Sequence, residues 1–154
     1  VTEGIIDNQN IINNDSILVF KRYIDLKGIE NNSIRNSLKK HNNLPREELE
    51  EISSTYTYEY LLAIINSTFA NKYLNAIRRH KLNNYFYPDD FRALPIKKNY
   101  KQHLFEKLVN LIQFLYYLDS EYSSYFDEDL LDSLVYELYF KDKFIEDGIY
   151  SGIN

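Results

Sequence analysis

Apolar residues recur at intervals of three and four along most of the chain beyond residue 60. That period places side chains on one face of an α-helix. Three stripes follow it: Leu61, Ile64, Ile65, Thr68, Phe69, Tyr73, Ala76 and Ile77; then Leu104, Leu108, Leu111, Ile112, Leu115, Leu118 and Tyr122; then Leu130, Leu131, Leu134, Val135, Leu138 and Tyr139. We therefore predict mainly helical central and C-terminal parts, with the first and third stripes facing the core.

Local signals set the expected helix boundaries. Pro45, followed by a glutamate-rich run, suits a helix N-terminus, where the positive end of the helix dipole favours carboxylates. Asn66 and Ser67 interrupt the first stripe. Because both side chains compete for backbone hydrogen bonds, we expect two helices there. Residues 27–43 are polar and basic, which predicts a loop with weak helix around residues 34–40.

The first 24 residues have a different pattern. Two isoleucine pairs flank a polar turn within residues 5–12, and a β-branched and aromatic run follows at residues 17–23. This content favours strands. Residues 94–96 suit a short edge strand or an extended corner, because Pro95 lacks the donor that a central strand needs. We thus predict an α+β fold class: a small N-terminal β-sheet with a mainly helical central and C-terminal part.

The net charge of −5 is unevenly distributed. Residues 61–105 carry eight Lys or Arg against two Asp or Glu, a net +6, whereas residues 1–60 carry −3 and residues 106–154 carry −8. Local potential rather than total charge attracts phosphates, so a basic segment between acidic flanks is typical of a directed nucleic-acid surface. A basic face that is merely solvated is the alternative.

Residues 78–87 read Arg-Arg-His-Lys-Leu-Asn-Asn-Tyr-Phe-Tyr, so the chain loses the helical period there and becomes basic, amidic and aromatic. Arg and Lys neutralise phosphates or bind guanine edges, Asn can pair with adenine, and aromatic rings can pack on sugars or bases. Two alternatives stay open. Cations also favour a helix C-terminus for dipole reasons, and the aromatic residues, Phe86 above all, can belong to the core.

Several catalytic chemistries lack their motifs. Glycine occurs only at positions 4, 28, 148 and 152, so the sequence has no glycine-rich cofactor turn, and it has no Asn-Pro-Pro-aromatic motif. Cysteine is absent, and the three histidines have no metal-ligand spacing. Pro88 and Asp89 followed by Lys97 are similar to a metal-dependent nuclease pattern, but its second acid is missing. Capping of the following segment is the expected role of Asp89 and Asp90, and we predict neither a catalytic nor a metal site.

Three stretches carry a more specific signal. They are residues 61–75, which begin with Leu-Leu-Ala-Ile-Ile-Asn-Ser, then Tyr-Pro-Asp-Asp-Phe-Arg-Ala-Leu-Pro-Ile at 87–96 and Leu-Asp-Ser-Leu-Val-Tyr-Glu-Leu-Tyr at 131–139. In this order they resemble the TaqI-like C-terminal specificity domain of adenine-specific DNA methyltransferases and type IIG restriction enzymes. Residues 15–16, 27–29 and 32–34 resemble the entry strands of that domain, so the resemblance covers nearly the whole chain. One departure is the short linker at 39–44, where a longer loop is expected in related domains.

The resemblance implies sequence-specific DNA recognition in a prokaryotic, cytoplasmic restriction-modification system. Duplex DNA would be one partner and the methyltransferase domain of the same parent chain the other. That domain would flip an adenine and methylate it with S-adenosylmethionine, while no cofactor is expected in this chain. Residues 1–100 would form the target-recognition core and 101–154 a helical extension packed on it, in a fragment of a longer chain, since Val1 is not an initiator Met. Whether the parent also cleaves DNA stays open.

The predicted DNA-binding residues are Arg22, Arg35, Lys39, Lys40, Arg78, Arg79, His80, Lys81, Asn83, Asn84 and Tyr85. The two neighbouring arginines and Lys81 would mostly contact the phosphate backbone, while Asn83, Asn84 and Tyr85 would read base edges. The alternative function is a protein–protein docking module, which would use the acidic, aromatic-rich helices without touching DNA.

Overall fold

A computed structural model describes residues 4, 6, 18–40, 44–78, 86–99, 101–118 and 125–148. About 70% of these residues are helical, and none of them lies in a β-strand. The predicted α+β class with a small N-terminal β-sheet is therefore wrong for the described part of the chain. Of the predicted strand residues, 1–3, 5 and 7–17 lie outside the described residues.

The reason is visible where the β-prone run is described. Residues 18–22 form no regular element, and the chain then winds into a single 3₁₀ turn at Tyr23–Leu26. Val19 and Phe20 are exposed, and the Ile24 N–H donates to Ser53 Oγ at 2.9 Å. A β-prone run gains its stability from packing against neighbouring strands. Here a helix takes the place of the neighbouring strand.

The chain divides into two compact units. The small unit, Asn10–Thr57, contains the 3₁₀ turn, α1 (Asn32–Leu38) and α2 (Arg46–Ser54). The large unit, formed by Val1–Gln9 and Tyr58–Asn154, contains α3 (Tyr58–Asn66), α4 (Thr68–Ile77), α5 (Pro88–Arg92), α6 (Gln102–Tyr117), a π-helical segment (Tyr125–Leu131) and α7 (Asp132–Glu146). The predicted division at residue 100 stays a prediction.

In the small unit, arginine side chains join the 3₁₀ turn to α2. Arg46, in the first turn of α2, donates to the carbonyl oxygens of Leu26 at 2.6 Å and Ile29 at 3.0 Å. It also forms an ion pair with Glu50 at 2.8 Å, and both of these side chains are largely buried. As predicted, Pro45 immediately precedes a helix, α2, and the first turn of α2 contains the acidic residues Glu47 and Glu48.

The predicted break at Asn66 and Ser67 is confirmed. α3 ends at Asn66, and the buried Ser67 is the N-cap of α4, where its Oγ accepts the Ala70 N–H at 3.1 Å. The second orphan N–H of this helix start, that of Thr68, donates to Asp132 Oδ1 at 2.7 Å. Both contacts satisfy backbone donors that have no partner inside a helix. The first residue of α7 thus completes the start of α4.

The core of the large unit lies where α3 packs against α6. Tyr60 is fully buried, and its ring meets the edge of Phe105 at a centroid distance of 5.0 Å and an interplanar angle of 87°. Buried residues on the other elements of this core include Leu74, Leu94, Leu131, Leu134 and Val135. Such edge-to-face aromatic packing contributes about 0.5–1.5 kcal/mol beyond the burial of area.

The buried stripe of α3 and α4 differs from the predicted one. The buried residues are Tyr60, Leu62, Ala63, Ile64, Ser67, Ala70 and Leu74, and only Ile64 is common to both sets. Leu61, Ile65 and Phe69 are half-buried, while Thr68 and Ala76 are exposed. α3 is apolar almost all round, so more than one face satisfies the three-and-four spacing, and packing selects among them.

Candidate nucleic-acid interface

The basic segment begins at a fixed point, the C-terminal end of α4. The Arg78 N–H donates to the Leu74 carbonyl at 2.9 Å, and the Arg78 guanidinium lies over the Phe86 ring, 5.9 Å from its centroid. The Phe86 ring in turn meets Phe91 of α5 edge-on at 6.0 Å. The chain therefore enters and leaves residues 79–85 at neighbouring points, and a cation–π contact joins the two points.

The far end of the segment is held by the N-terminus of α5. Asp90 is buried, and its Oδ2 accepts the Tyr87 N–H at 2.8 Å, while the Asp90 N–H donates to the Tyr87 carbonyl at 2.9 Å. Asp89 forms an ion pair with Arg92. The predicted capping role is confirmed for Asp90, and Pro88 at the first helical position suits the same helix start.

After α5 the chain is held by three tyrosine hydroxyls. Tyr73 donates to the carbonyl of Ala93 at 3.2 Å, Tyr139 to that of Pro95, and Tyr60 to that of Lys97 at 2.5 Å. We call this arrangement the tyrosine clamp. The acceptors are alternate residues, as they are along one edge of a strand, but the donors are side chains of three helices. Residues 95–99 form no regular element, so the alternative of an edge strand at 94–96 is wrong and the extended corner is the better description.

Several positive charges of the 61–105 stretch are used within the large unit. Lys97 Nζ donates to the Leu138 carbonyl at 2.9 Å, and Lys72 Nζ lies 3.3 Å from the Tyr136 hydroxyl. Arg92 is paired with Asp89, as described above. These three cations stabilise packing against α7 and within α5. Of the other cations of this stretch, Lys98 and Lys101 are exposed, Arg78 is half-buried, and Arg79 and Lys81 lie outside the described residues.

In the small unit, Arg22 has an internal role. Its Nε and Nη2 bind the carboxylate of Asp25 at 2.9 and 2.8 Å, and Nη1 donates to the Tyr56 carbonyl at 2.7 Å. A guanidinium with three donors bound in this way is fixed in place. Arg22 remains a predicted DNA-binding residue, and it also has this structural role in the small unit.

The other predicted DNA-binding residues of the small unit lie together at the C-terminal end of α1. Arg35 and Lys39 are four residues apart, so they share one helix face, and Lys40 follows directly. All three are exposed. Arg35 Nη2 is 4.0 Å from Glu30 Oε2, and an exposed pair at that distance contributes little to stability. These side chains form a basic ridge at one helix end.

The structure thus places the predicted site residues in two groups. Arg22, Arg35, Lys39 and Lys40 belong to the small unit, and Arg78 to the large one. Arg79, His80, Lys81, Asn83, Asn84 and Tyr85 lie outside the described residues. Sequence reasoning missed the tyrosine clamp and the Arg78–Phe86 contact. The signal that could have found the clamp is the position of Tyr60, Tyr73 and Tyr139 on helical stripes, near a proline-containing segment with carbonyl acceptors.

No family model matches the sequence, no curated protein is detectably similar to it, and no solved structure matches its fold. Among the described residues, no helix combines the length and apolar character needed to cross a membrane. Nor does any group of three or more His, Asp or Glu side chains within those residues have the arrangement of a metal site.

Proposed function

We propose that this chain is the sequence-specific DNA recognition domain of a restriction-modification DNA adenine methyltransferase. The observation that carries the proposal is the contact between Arg78 and Phe86, which joins the two ends of a basic, amide-containing and aromatic segment. Fixed ends reduce the conformational entropy that a segment loses when it binds, so the same side chains bind more tightly.

The packing of the large unit supports the same proposal. The three stretches that resemble a TaqI-like specificity domain meet each other: Tyr73 of the first reaches Ala93 of the second, Tyr139 of the third reaches Pro95 of the second, and Asp132 of the third reaches Thr68 of the first. Motifs that are far apart in sequence thus form one scaffold. The ends of the basic segment are attached to that scaffold through α4 and α5.

The chemistry of recognition follows from the residue types in the segment. Arg78, Arg79 and Lys81 supply positive charge for phosphates, which determines the register of the protein on the duplex and makes binding salt-dependent. Asn83, Asn84 and Tyr85 supply donors, acceptors and a ring for base edges. The exposed ridge of Arg35, Lys39 and Lys40 would add further phosphate contacts.

Methylation itself belongs to another domain of the parent protein in this proposal. That domain would hold S-adenosylmethionine and flip the target adenine, while this chain positions the duplex. Cleavage by a nuclease domain of the parent is compatible with the same role. The cytoplasm is the expected compartment, because that is where the parent would meet its DNA.

Fluorescence-anisotropy titration of a duplex of random sequence at two salt concentrations tests the proposal. We expect binding that weakens with salt, and each lost phosphate contact should reduce the magnitude of the log–log slope by about 0.9. Arg79→Gln with Lys81→Gln should lower both the affinity and the slope. The matched control is Lys141→Gln, which removes one positive charge from an exposed position on α7. Salt-independent or absent binding, in this chain and in its full-length parent, would favour the protein-docking alternative.

A further inference from the structure

The extended corner after α5 has two backbone edges, and the tyrosine clamp occupies one of them. The hydroxyls of the clamp donate to the carbonyl oxygens of Ala93, Pro95 and Lys97. In an extended chain the N–H and C=O groups of successive residues point to opposite edges. Because all three acceptors are odd-numbered residues, the backbone groups of Ile96 and Lys98 point away from the clamp. We call these groups the open edge.

The side chains of the same segment alternate as they do in a strand. Leu94 is buried and Ile96 is half-buried, whereas Ala93, Pro95 and Lys97 are exposed. A period of two places successive side chains on opposite faces. The corner therefore has one face on the helices and one face in solvent, as an edge strand does, although it belongs to no sheet.

The open edge has no partner within the part of the chain that the structure describes. Neither Ile96 nor Lys98 takes part in a backbone hydrogen bond there. Pro95 lacks an N–H, but it belongs to the clamp edge, so it leaves the open edge uninterrupted. The open edge thus presents donors and acceptors in strand order, and such an edge is a template for pairing with another extended chain.

We propose that the open edge binds an extended, acidic segment of a partner protein by strand addition. Ile96 and Lys98 are two residues apart, which is the spacing of the hydrogen-bonded positions in an antiparallel ladder. Each of them would exchange both of its backbone bonds with one partner residue. Residues directly opposite each other share a face, so the partner residue that faces the half-buried Ile96 is apolar.

The mixture of donors and acceptors indicates a polypeptide rather than a nucleic acid. Phosphate oxygens only accept hydrogen bonds, so they would leave the carbonyl oxygens of Ile96 and Lys98 without donors. A peptide residue offers one donor and one acceptor on the same edge, which satisfies both groups of each residue. This proposal is independent of the proposed DNA binding, because neither residue is a predicted DNA contact.

The charge around the corner indicates that the partner segment is acidic. Residues 91–105 contain four Lys or Arg and no Asp or Glu. Arg92 and Lys97 are bound within the large unit, and Lys98 and Lys101 are exposed. Opposite charges on paired strands attract, and like charges repel. The partner segment is therefore expected to alternate apolar and acidic side chains.

Titration of the ¹⁵N-labelled chain with a synthetic peptide of alternating glutamate and valine, blocked at both ends, tests the proposal. Amide correlation spectra should show the Ile96 and Lys98 signals shifting and saturating at about millimolar peptide, because each backbone hydrogen bond is weak. The same peptide with lysine in place of glutamate should bind more weakly. Absence of these shifts at about 5 mM of the glutamate peptide would overturn the proposal.

Methylation of the peptide nitrogens distinguishes strand addition from attraction of charge alone. In the antiparallel pair the valines face Ile96 and Lys98, so methyl groups on the valine nitrogens should abolish the shifts. The glutamate nitrogens point to the other edge of the peptide, and their methylation should leave the affinity nearly unchanged. The two methylated peptides have the same composition and charge, so equal affinities would contradict strand addition.

Variants of the chain test the donor and the charge separately. Lys98→Pro removes one N–H of the open edge together with the charge, Lys98→Gln removes the charge alone, and Lys141→Gln removes a charge from an exposed position on α7. We expect Lys98→Pro to weaken peptide binding at least about threefold more than Lys98→Gln, and Lys141→Gln to have no effect. Proline favours an extended conformation at the residue before it, which suits the corner, and circular dichroism checks that each variant folds.

A nucleic-acid partner at this edge is the competing outcome. If a DNA duplex shifted the Ile96 and Lys98 amide signals and the glutamate peptide did not, the open edge would be a DNA contact and the proposal would be wrong. Equal effects of Lys98→Pro and Lys141→Gln on peptide binding would also overturn it.

Discussion

The Tyr60 hydroxyl donates a hydrogen bond of 2.5 Å to the carbonyl oxygen of Lys97, and so joins the buried core of α3 to the extended corner after α5. The ring of Tyr60 is fully buried against Phe105. One side chain therefore fills the core and satisfies a backbone acceptor 37 residues away.

Tyr60→Phe removes that donor while it keeps the ring. We expect the free energy of unfolding to fall by about 1 kcal/mol, because the part-buried hydrogen bond to the Lys97 carbonyl is lost. Urea unfolding followed by circular dichroism measures the change. The control is Tyr117→Phe on the highly exposed Tyr117, where the change should stay within about 0.5 kcal/mol. Equal losses in the two variants would contradict the proposed contribution of the clamp.

The start of α4 depends on two caps from different parts of the chain. Ser67→Ala and Asp132→Ala should each lower the free energy of unfolding by about 1 kcal/mol, since each leaves a backbone N–H of the first turn without its acceptor. Thermal or urea unfolding of each variant is the measurement. Asp142→Ala removes an exposed carboxylate from the same helix as Asp132, and it should have little effect. If Asp142→Ala were as destabilising as Asp132→Ala, net charge rather than capping would be the cause.

Asn66 holds Gly4 with both ends of its side-chain amide. Its Oδ1 accepts the Gly4 N–H at 2.7 Å, and its Nδ2 donates to the Gly4 carbonyl at 3.1 Å. A Cβ at Gly4 would stand 2.9 Å from Leu62 Cδ1 and 3.1 Å from Asn66 Oδ1. Gly4→Ala should therefore weaken the contact between Gly4 and Asn66, and Asn66→Asp should remove the Nδ2 donor.

Hydrogen exchange of the Gly4 amide measures this contact. Both variants should speed its exchange by about tenfold or more, which corresponds to about 1.4 kcal/mol of local stability. Gly28→Ala is the control. A Cβ at that position meets nothing within 4 Å, but its φ of +77° strains an alanine, so it should destabilise the small unit and leave Gly4 exchange unaffected. Unchanged exchange in Asn66→Asp would show that Gly4 is held by other contacts.

The Phe86→Leu variant distinguishes the effect of the Arg78–Phe86 contact on DNA binding from the effect of positive charge. The variant removes the ring beneath Arg78 but keeps every positive charge, so affinity for duplex DNA should fall severalfold while the salt slope stays the same. Arg79→Gln should instead reduce the slope. Anisotropy titrations at several salt concentrations give both quantities. A change of slope in Phe86→Leu, or no change in its affinity, would argue against the anchoring role.

The features that the sequence predicts well are those that local chemistry determines. Pro45 precedes a helix, Ser67 separates two helices, and Asp90 caps a third, because each acts on backbone groups within a few residues. These effects need no knowledge of which elements pack together.

The features that sequence reasoning misses depend on packing partners. The second apolar stripe of the sequence lies on α6, and its residues differ in burial. Leu108 and Ile112 are buried, because the face of α6 centred on Phe105 meets Tyr60, whereas Leu111 and Leu118 are exposed. The N-terminal β-prone run meets α2 rather than another strand. The contact between Arg78 and Phe86 likewise depends on where α5 sits beside α4. Periodicity shows that a face is apolar, but the partner decides which of several apolar faces is buried.

The bond between Asp132 and the Thr68 N–H has a consequence for biosynthesis. The first turn of α4 receives its carboxylate acceptor from a residue 64 positions later, so this helix start is incomplete when residues 68–77 leave the ribosome. Contacts of such sequence separation form late, because the intervening chain must first be ordered. Nascent chains that end before α7 should therefore be open to proteases at the α3–α4 junction. Those that extend through residue 146 should become resistant there.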